Sequence, residues 1–403
     1  MKQSIASPST GSAGLYRWYV LALATLTFTL VMGMPTMSLP VLFPEIAAEL
    51  QMTIVQVGVV WGVGSLTGIV MGLLGGIIGD WIGAQRTLLI FCALIGVAGA
   101  ARGFANGYST LLLTVFLLGL ATPVVPTNIH KTCGIWFPGR RLGLANGIVS
   151  TGMALGFMLG SLLSATVLSP WLGGWRNVLF FYGAIALLFS MLWATTQSTP
   201  DATADRAERA TRLPLRQGLR HVVGLRNVWL LGLALFGISG AIQGTLGYLP
   251  SYLRAVGWEA ATADSALASF HGTSMLFAIP LAMLSDRLGK RRQLLLVATL
   301  LIATGFGLLT VVDGSLVWLA VIIAGLTRDG FMAIFMTQVI EVDGVGARHA
   351  GTATGLTLGC AMVGNVIAPP LGNSLERLGL SLPFALWTGL VLLGMVALYF
   401  VRE

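Results

Sequence analysis

The chain has 403 residues, 56% of them hydrophobic and only 9% charged, with a formal net charge of +8. A water-soluble domain carries about 25% charged residues, so this composition excludes a soluble globule and requires lipid over much of the surface. Cys92, Cys133 and Cys360 stand alone in apolar stretches without metal or redox spacing, so they read as small core residues and no cofactor or metal is expected.

The first sixteen residues are polar. The apolar run after them exceeds the roughly 7–15 residues of a secretory leader core, so it reads as a first span. A bilayer core of about 30 Å takes about 20 apolar residues as helix. Twelve such runs follow one another: 17–40, 57–79, 87–104, 109–134, 143–168, 176–196, 227–252, 265–284, 293–312, 316–338, 350–372 and 381–401. The single long polar interval, 197–226, separates six spans from six, which places both termini on one side. The expected architecture is an all-α membrane protein: an N-terminal six-helix half (1–196), a linker (197–226) and a C-terminal six-helix half (227–403). From Asp201 to Arg226 the linker alternates Arg with Ala and Leu, which reads as an interfacial helix drawn to anionic lipid.

Lysine and arginine set the orientation. One face receives 18 of them, the other only Arg102, Arg176, Arg254 and Arg377, and Arg328 is left inside a span. The positive-inside rule then puts both termini and the linker in the cytoplasm. Topology thereby accounts for the excess positive charge, and no nucleic-acid partner is expected.

Polar groups at bilayer depth are the candidate site residues, because a charge there costs several kcal/mol (roughly 2.5–3.5 on insertion scales) unless it faces a cavity or a partner. Glu45 falls at the outer end of the first span and reads as a solvated rim. In the fourth span, Pro123 and Pro126 interrupt the backbone ladder and kink the helix toward a cavity. His130 and Lys131 follow them as a second cationic site, with Lys131 alternatively snorkelling to the interface. Gln243 and Tyr248 in the seventh span, His271 in the eighth, and Thr357 and Asn365 in the eleventh are each either interhelical hydrogen bonds or ligands. In the tenth span, Arg328 and Asp329 lie about 18 Å from the outer end, near the midplane. Consecutive helical residues diverge by about 100°, so each is expected to find a separate partner. Arg328 reads as an anion ligand and Asp329 as the group that positions it or carries a proton.

Two patterns recur between the halves. Gly76, Asp80, Gly83 and Arg86 form a loop after the second span, and Ala282, Asp286, Gly289 and Arg292 repeat it after the eighth, 206 residues on (Asp286 minus Asp80). Arg140-Arg141-Leu142-Gly143 through Gly147 aligns with Arg348-His349-Ala350-Gly351 through Gly355 at a shift of 208, and Gly156 then meets Gly364. Glycine runs in the second, fifth and eleventh spans permit close helix packing. Two six-span halves in parallel are how one large class of transporters is built.

With these motifs the chain resembles the major facilitator superfamily over essentially its whole length. The resemblance implies the MFS fold and assigns a cytoplasmic gate to Asp80, Gly83, Arg86, Asp286, Arg287, Gly289 and Arg292. The family's usual arginine after the first loop's Asp is replaced by Trp81. Trp136-Phe137-Pro138 followed by Arg140 and Arg141 is similar to small-anion porters of the nitrate/nitrite and cyanate-type branches. Nitrate itself is not expected, since Asn146 sits too early and neither the second nor the eighth span holds an arginine within the membrane. The resemblance implies a monomeric carrier of a small anion, a carboxylate or similar, in the cytoplasmic membrane, with proton symport, exchange and uniport all open. The alternative is a proton-coupled drug or metabolite exporter of the same fold. A membrane enzyme or receptor is disfavoured, because the sequence shows no nucleophile constellation, metal cluster or phosphate loop.

Overall fold

The computed structural model describes residues 10–196 and 215–401, and among them there is no strand. The membrane helices are α1 (Leu15–Glu49), α2 (Ile54–Ile82), α3 (Ala84–Phe104), α4 (Tyr108–Trp136), α5 (Leu142–Leu172), α6 (Trp175–Ala194), α7 (Arg226–Ala255), α8 (Ala260–Leu288), α9 (Arg291–Leu308), α10 (Leu316–Glu341), α11 (Gly346–Asn373) and α12 (Leu382–Tyr399). Each sequence-read span has its helix. Eleven helices qualify as spans on length and apolarity, and α2, bent by 40° between Gly68 and Val70, makes twelve. α1 continues past the expected residue 40 to Glu49, because Pro40 and Pro44 sit inside the helix instead of ending it.

Local chemistry sets the ends of these helices. At the start of α2, Gln56 N donates to Thr53 Oγ1 (3.3 Å) and Thr53 N donates to Gln56 Oε1 (2.9 Å), a reciprocal cap. At the other end of α2, Gly83 (φ +88°) makes the turn into α3, and Gly289 (φ +63°) makes the matching turn between α8 and α9. Both signature loops thus depend on a backbone conformation that glycine adopts at little cost.

The internal duplication is written into the packing. A methyl group on Gly156 of α5 would lie 2.5 Å from Thr29 O and 2.9 Å from Gly33 Cα of α1. A methyl on Gly364 of α11, the aligned residue, would lie 2.1 Å from Phe236 O of α7, and one on Gly240 would lie 2.8 Å from Gly364 O. The pairs Gly33/Gly156 and Gly240/Gly364 therefore mark equivalent contacts, α1 on α5 and α7 on α11. Neither leaves room for a side chain, as the glycine runs anticipate.

The halves meet along α2–α11 and α5–α8. Among the described residues, their side-chain hydrogen bonds gather in the first two turns of α2, remote from the signature loops. Trp61 Nε1 donates to Gln243 O (2.7 Å), and Asn373 Nδ2 donates to Ile54 O (2.8 Å). Farther along α2, a methyl on Gly72 would meet nothing within 4 Å. The interior is therefore closed on the far side and open on the side of the signature loops.

Part of the linker, residues 197–214, lies outside the described residues. The remainder forms a helix, Leu215–Val223, that docks on the start of α11. There His221 stacks on His349 (ring centroids 4.4 Å) and its Nε2 lies 2.8 Å from Gly344 O.

Candidate functional site

A cavity of 690 Å³ lies between the halves, lined by Pro35 and Thr36 of α1, Trp61 and Ser65 of α2, Phe157 of α5, Gln243 of α7, and Leu358 and Met362 of α11. α4 contributes Thr122, Pro123, Pro126 and Thr127. Regular helix stops there at Ala121 and resumes at Val124, so the two prolines break the ladder where the helix borders the cavity.

The cavity wall also carries a buried cation. Arg102, at the end of α3, is 1% exposed and lines the cavity. Its Nε donates to Gly99 O (3.1 Å), and among the described residues its Nη groups have no hydrogen-bond partner and no carboxylate pairs with it. The Lys/Arg count places Arg102 on the outer face, at the end of the span read as 87–104; the helix ends where expected, and the residue is buried in the cavity wall. The missed signal lay in the sequence: Arg102 sits between Gly99-Ala100-Ala101 and Gly103-Phe104, inside an apolar run with no acid nearby.

α10 is also discontinuous. Its regular helix stops at Gly325 and restarts at Arg328. The pause has two local causes. Gly325 packs so closely on α8 that a methyl there would lie 2.6 Å from Phe270 O, and Thr327 Oγ1 donates to Ala298 O of α9 (3.1 Å). Arg328 and Asp329 open the second segment. Against expectation they face each other: Arg328 Nη1 donates to Asp329 Oδ1 at 2.6 Å. The 100° rule applies inside a regular helix, whereas this pair sits in the first turn after a break, where the long arginine stem folds back. The guanidinium also lies over the ring of Phe157, 5.4 Å from its centroid, with the two side chains 22% and 26% exposed. Asp329 N donates to Ser274 Oγ of α8 (3.1 Å).

The other sequence candidates are placed as follows. Gln243 reaches the cavity wall and holds Trp61 across the halves. Tyr248 is buried among Tyr252, Phe384 and Trp387, and its hydroxyl donates to Leu380 O (2.9 Å), away from the cavity. Asn365 joins Ser239 (2.8 Å), a contact between α11 and α7. His130 is exposed beside Asn146 (3.1 Å) and edge-on to Phe28. Lys131 Nζ donates to Asp80 Oδ1 (2.6 Å) and Gly79 O (3.3 Å), so it belongs to the first signature loop. His271 is fully buried on α8 against Phe157 (centroids 5.3 Å).

Of the gate residues, Asp80 and Arg292 make bonds within their own halves. Arg292 donates to Tyr399 O and lies over its ring, and Arg291 pairs with Glu341 (3.3 Å). Arg86 and Arg287 are exposed, while the side chain of Asp286 lies outside the described residues. The ion pairs described at this end, Lys131–Asp80 and Arg291–Glu341, each lie within one half.

The family model described as Major Facilitator Superfamily matches residues 21–369. The chain is 26% identical to the "Probable sulfoacetate transporter SauU" of Cupriavidus necator, over 89% of this chain and 88% of that protein. It is 24% identical to the gallate transporter of Pseudomonas putida, over 91% and 87%. Its fold matches the crystal structure of the nucleoside transporter NupG with a TM-score of 0.81 at 14% identity, over 96% and 100% of the two chains. On the match of the family model across most of its length, and on twelve helices in two duplicated halves, the chain belongs to the Major Facilitator Superfamily.

Proposed function

We propose that this transporter moves a small organic anion, a carboxylate or a related acid, across the cytoplasmic membrane by alternating access of its two halves. The observation that carries the reading is the sign of the buried charge at the cavity. Arg102 lines it without a carboxylate partner, and Arg328 lies against its wall at Phe157, held by a single acid. A guanidinium buried in an apolar wall is stabilised when an anion meets it and penalised when none does. Breaks in α4 and α10, which occupy corresponding places in the two halves, support the same location, since carriers build substrate sites at interrupted helices. The relatives' names point to sulfoacetate and gallate, both organic acids.

In this reading Arg328 and Arg102 are the anion ligands, Gln243 adds a neutral contact, and Asp329 holds Arg328 until substrate replaces it. Lys131 pairs with Asp80 and stabilises the loop of the N-terminal half, and Tyr248 and Asn365 fix helix contacts. Both termini lie in the cytoplasm by the lysine and arginine count, so the state described above is open inward. A thermal-shift screen of purified protein against organic acids, cationic drugs and nucleosides tests the reading, because a ligand of the native state raises its stability. Stabilisation by acids that Arg328→Gln loses is the expected outcome; stabilisation by cationic drugs alone overturns it.

A further inference from the structure

His271 is a buried polar side chain that the anion site does not use. It is 1% exposed, and among the described residues neither Nδ1 nor Nε2 has a hydrogen-bond partner. Its ring lies between Phe157 of α5 (centroids 5.3 Å) and Phe270 (5.4 Å). A neutral imidazole has one donor and one acceptor, and a buried polar group left unpaired carries its full desolvation penalty. The ring is in this position because α5, from the N-terminal half, closes over α8, from the C-terminal half. One residue on, a methyl at Gly272 would lie 3.2 Å from Met158 Sδ. The burial of His271 therefore belongs to this state, and the movement that opens the far side lifts its cover.

Few charges face the ring. α5 carries no titratable residue, and α9 carries only Arg291 and Arg292 at its loop end. On α7, Arg254 pairs with Asp264, two turns along α8 (2.7 Å), and Tyr248 and Tyr252 lie in the aromatic cluster with Phe384. α10 supplies Arg328, against the same Phe157 ring, and Asp329, whose backbone N is bonded to Ser274, one turn along α8 from His271.

We propose that His271 is a proton-binding site whose access to water alternates with the two states, so that proton movement drives the transport cycle. This goes beyond the proposed function, which leaves the driving force open. With the α5–α8 seam closed, the ring is shut away from water and shares the Phe157 face with the Arg328 guanidinium. With the seam parted, water reaches the ring and one proton binds its free nitrogen. On closure the ring gives that proton up to water on the side of the open mouth, one proton per cycle. Because the proton binds one state more tightly than the other, it must shift their equilibrium. Acid favours the far-side-open state.

The test needs no substrate, so its failure is separable from failure of the anion reading. Spin labels are placed at Leu144 of α5 and Met283 of α8, both exposed and near the signature-loop ends. Their distance distribution is measured from pH 8 to pH 5 in protein with its three cysteines replaced. The short-distance, far-side-open population is expected to rise with acid by up to about tenfold per pH unit within the range where the two states differ in proton binding, and to be flat in His271→Gln. A flat response with His271 present, or an undiminished one in His271→Gln, overturns the proposal. If His271→Gln does not fold, carbethoxylation of His271, read by mass spectrometry, serves instead. It should be at least about tenfold faster when a Leu144→Cys/Met283→Cys cross-link locks the far side open, in keeping with exposure-dependent protection; equal rates overturn the proposal.

Discussion

Replacing Arg102 with methionine separates the cost of a buried cation from its use. Among the described residues the side chain makes one hydrogen bond, Nε to Gly99 O at 3.1 Å, whose loss costs about 1 kcal/mol. Methionine keeps most of the apolar stem contact. Against that small loss stands the penalty of an unpaired guanidinium that is 1% exposed, roughly 2.5–3.5 kcal/mol on membrane-insertion scales. The variant should therefore be more stable than the parent without ligand, by about 2 kcal/mol. Ligand reverses the order. At an organic anion concentration 100 times its Kd the parent gains about 2.7 kcal/mol, and the variant should gain little. Unfolding in detergent with and without the anion should give crossing behaviour, the variant ahead alone and behind when ligand is present. A variant less stable without ligand that keeps the full anion increment would refute the assignment of Arg102 to the site.

Three further outcomes follow from particular contacts. Gly156→Val should prevent folding or cost more than about 3 kcal/mol, because Thr29 O and Gly33 Cα leave no space for a Cβ; expression and monodispersity report it. Trp61→Phe removes the hydrogen bond to Gln243 O that helps close the far side. The lost bond is worth about 1 kcal/mol, so the far-side-open population should rise about fivefold, as measured by thiol labelling from that side. Asp80→Asn and Lys131→Gln should lower stability by similar amounts singly and show a coupling of about 0.5–2 kcal/mol in a double-mutant cycle, since the pair is joined at 2.6 Å. Additive effects would separate Lys131 from the loop.

Most of the architecture was legible from the sequence because apolar run length reports directly on a bilayer. The duplication was legible for a related reason. Gly156 and Gly364 stand at helix contacts where a side chain cannot fit, so composition alone marks them. The site was harder to read, because the sequence shows that a polar group is buried without showing what it faces. Tyr248 and Asn365 look like ligands in a list of polar residues, yet Tyr248 bonds Leu380 O and Asn365 joins Ser239 of the neighbouring helix. Lys131 looked free until Asp80, 51 residues away, was brought to it. Arg328 and Asp329 were assigned separate partners because the break before them left only a faint trace, Gly325 and Thr327. Arg102 counts toward the outer face because it lies close to the end of an apolar run, and the run does not show that the residue is buried at the cavity.

Transport itself tests the central claim most directly. Purified protein in liposomes, loaded in turn with sulfonates, aromatic acids, aliphatic carboxylates, nucleosides and cationic drugs, is assayed for counterflow of the matching labelled compound. The account predicts saturable counterflow of at least one organic acid, abolished by Arg328→Gln in protein that still folds. Acid counterflow at the parental rate in Arg328→Gln, or counterflow confined to nucleosides or cationic drugs, would contradict it.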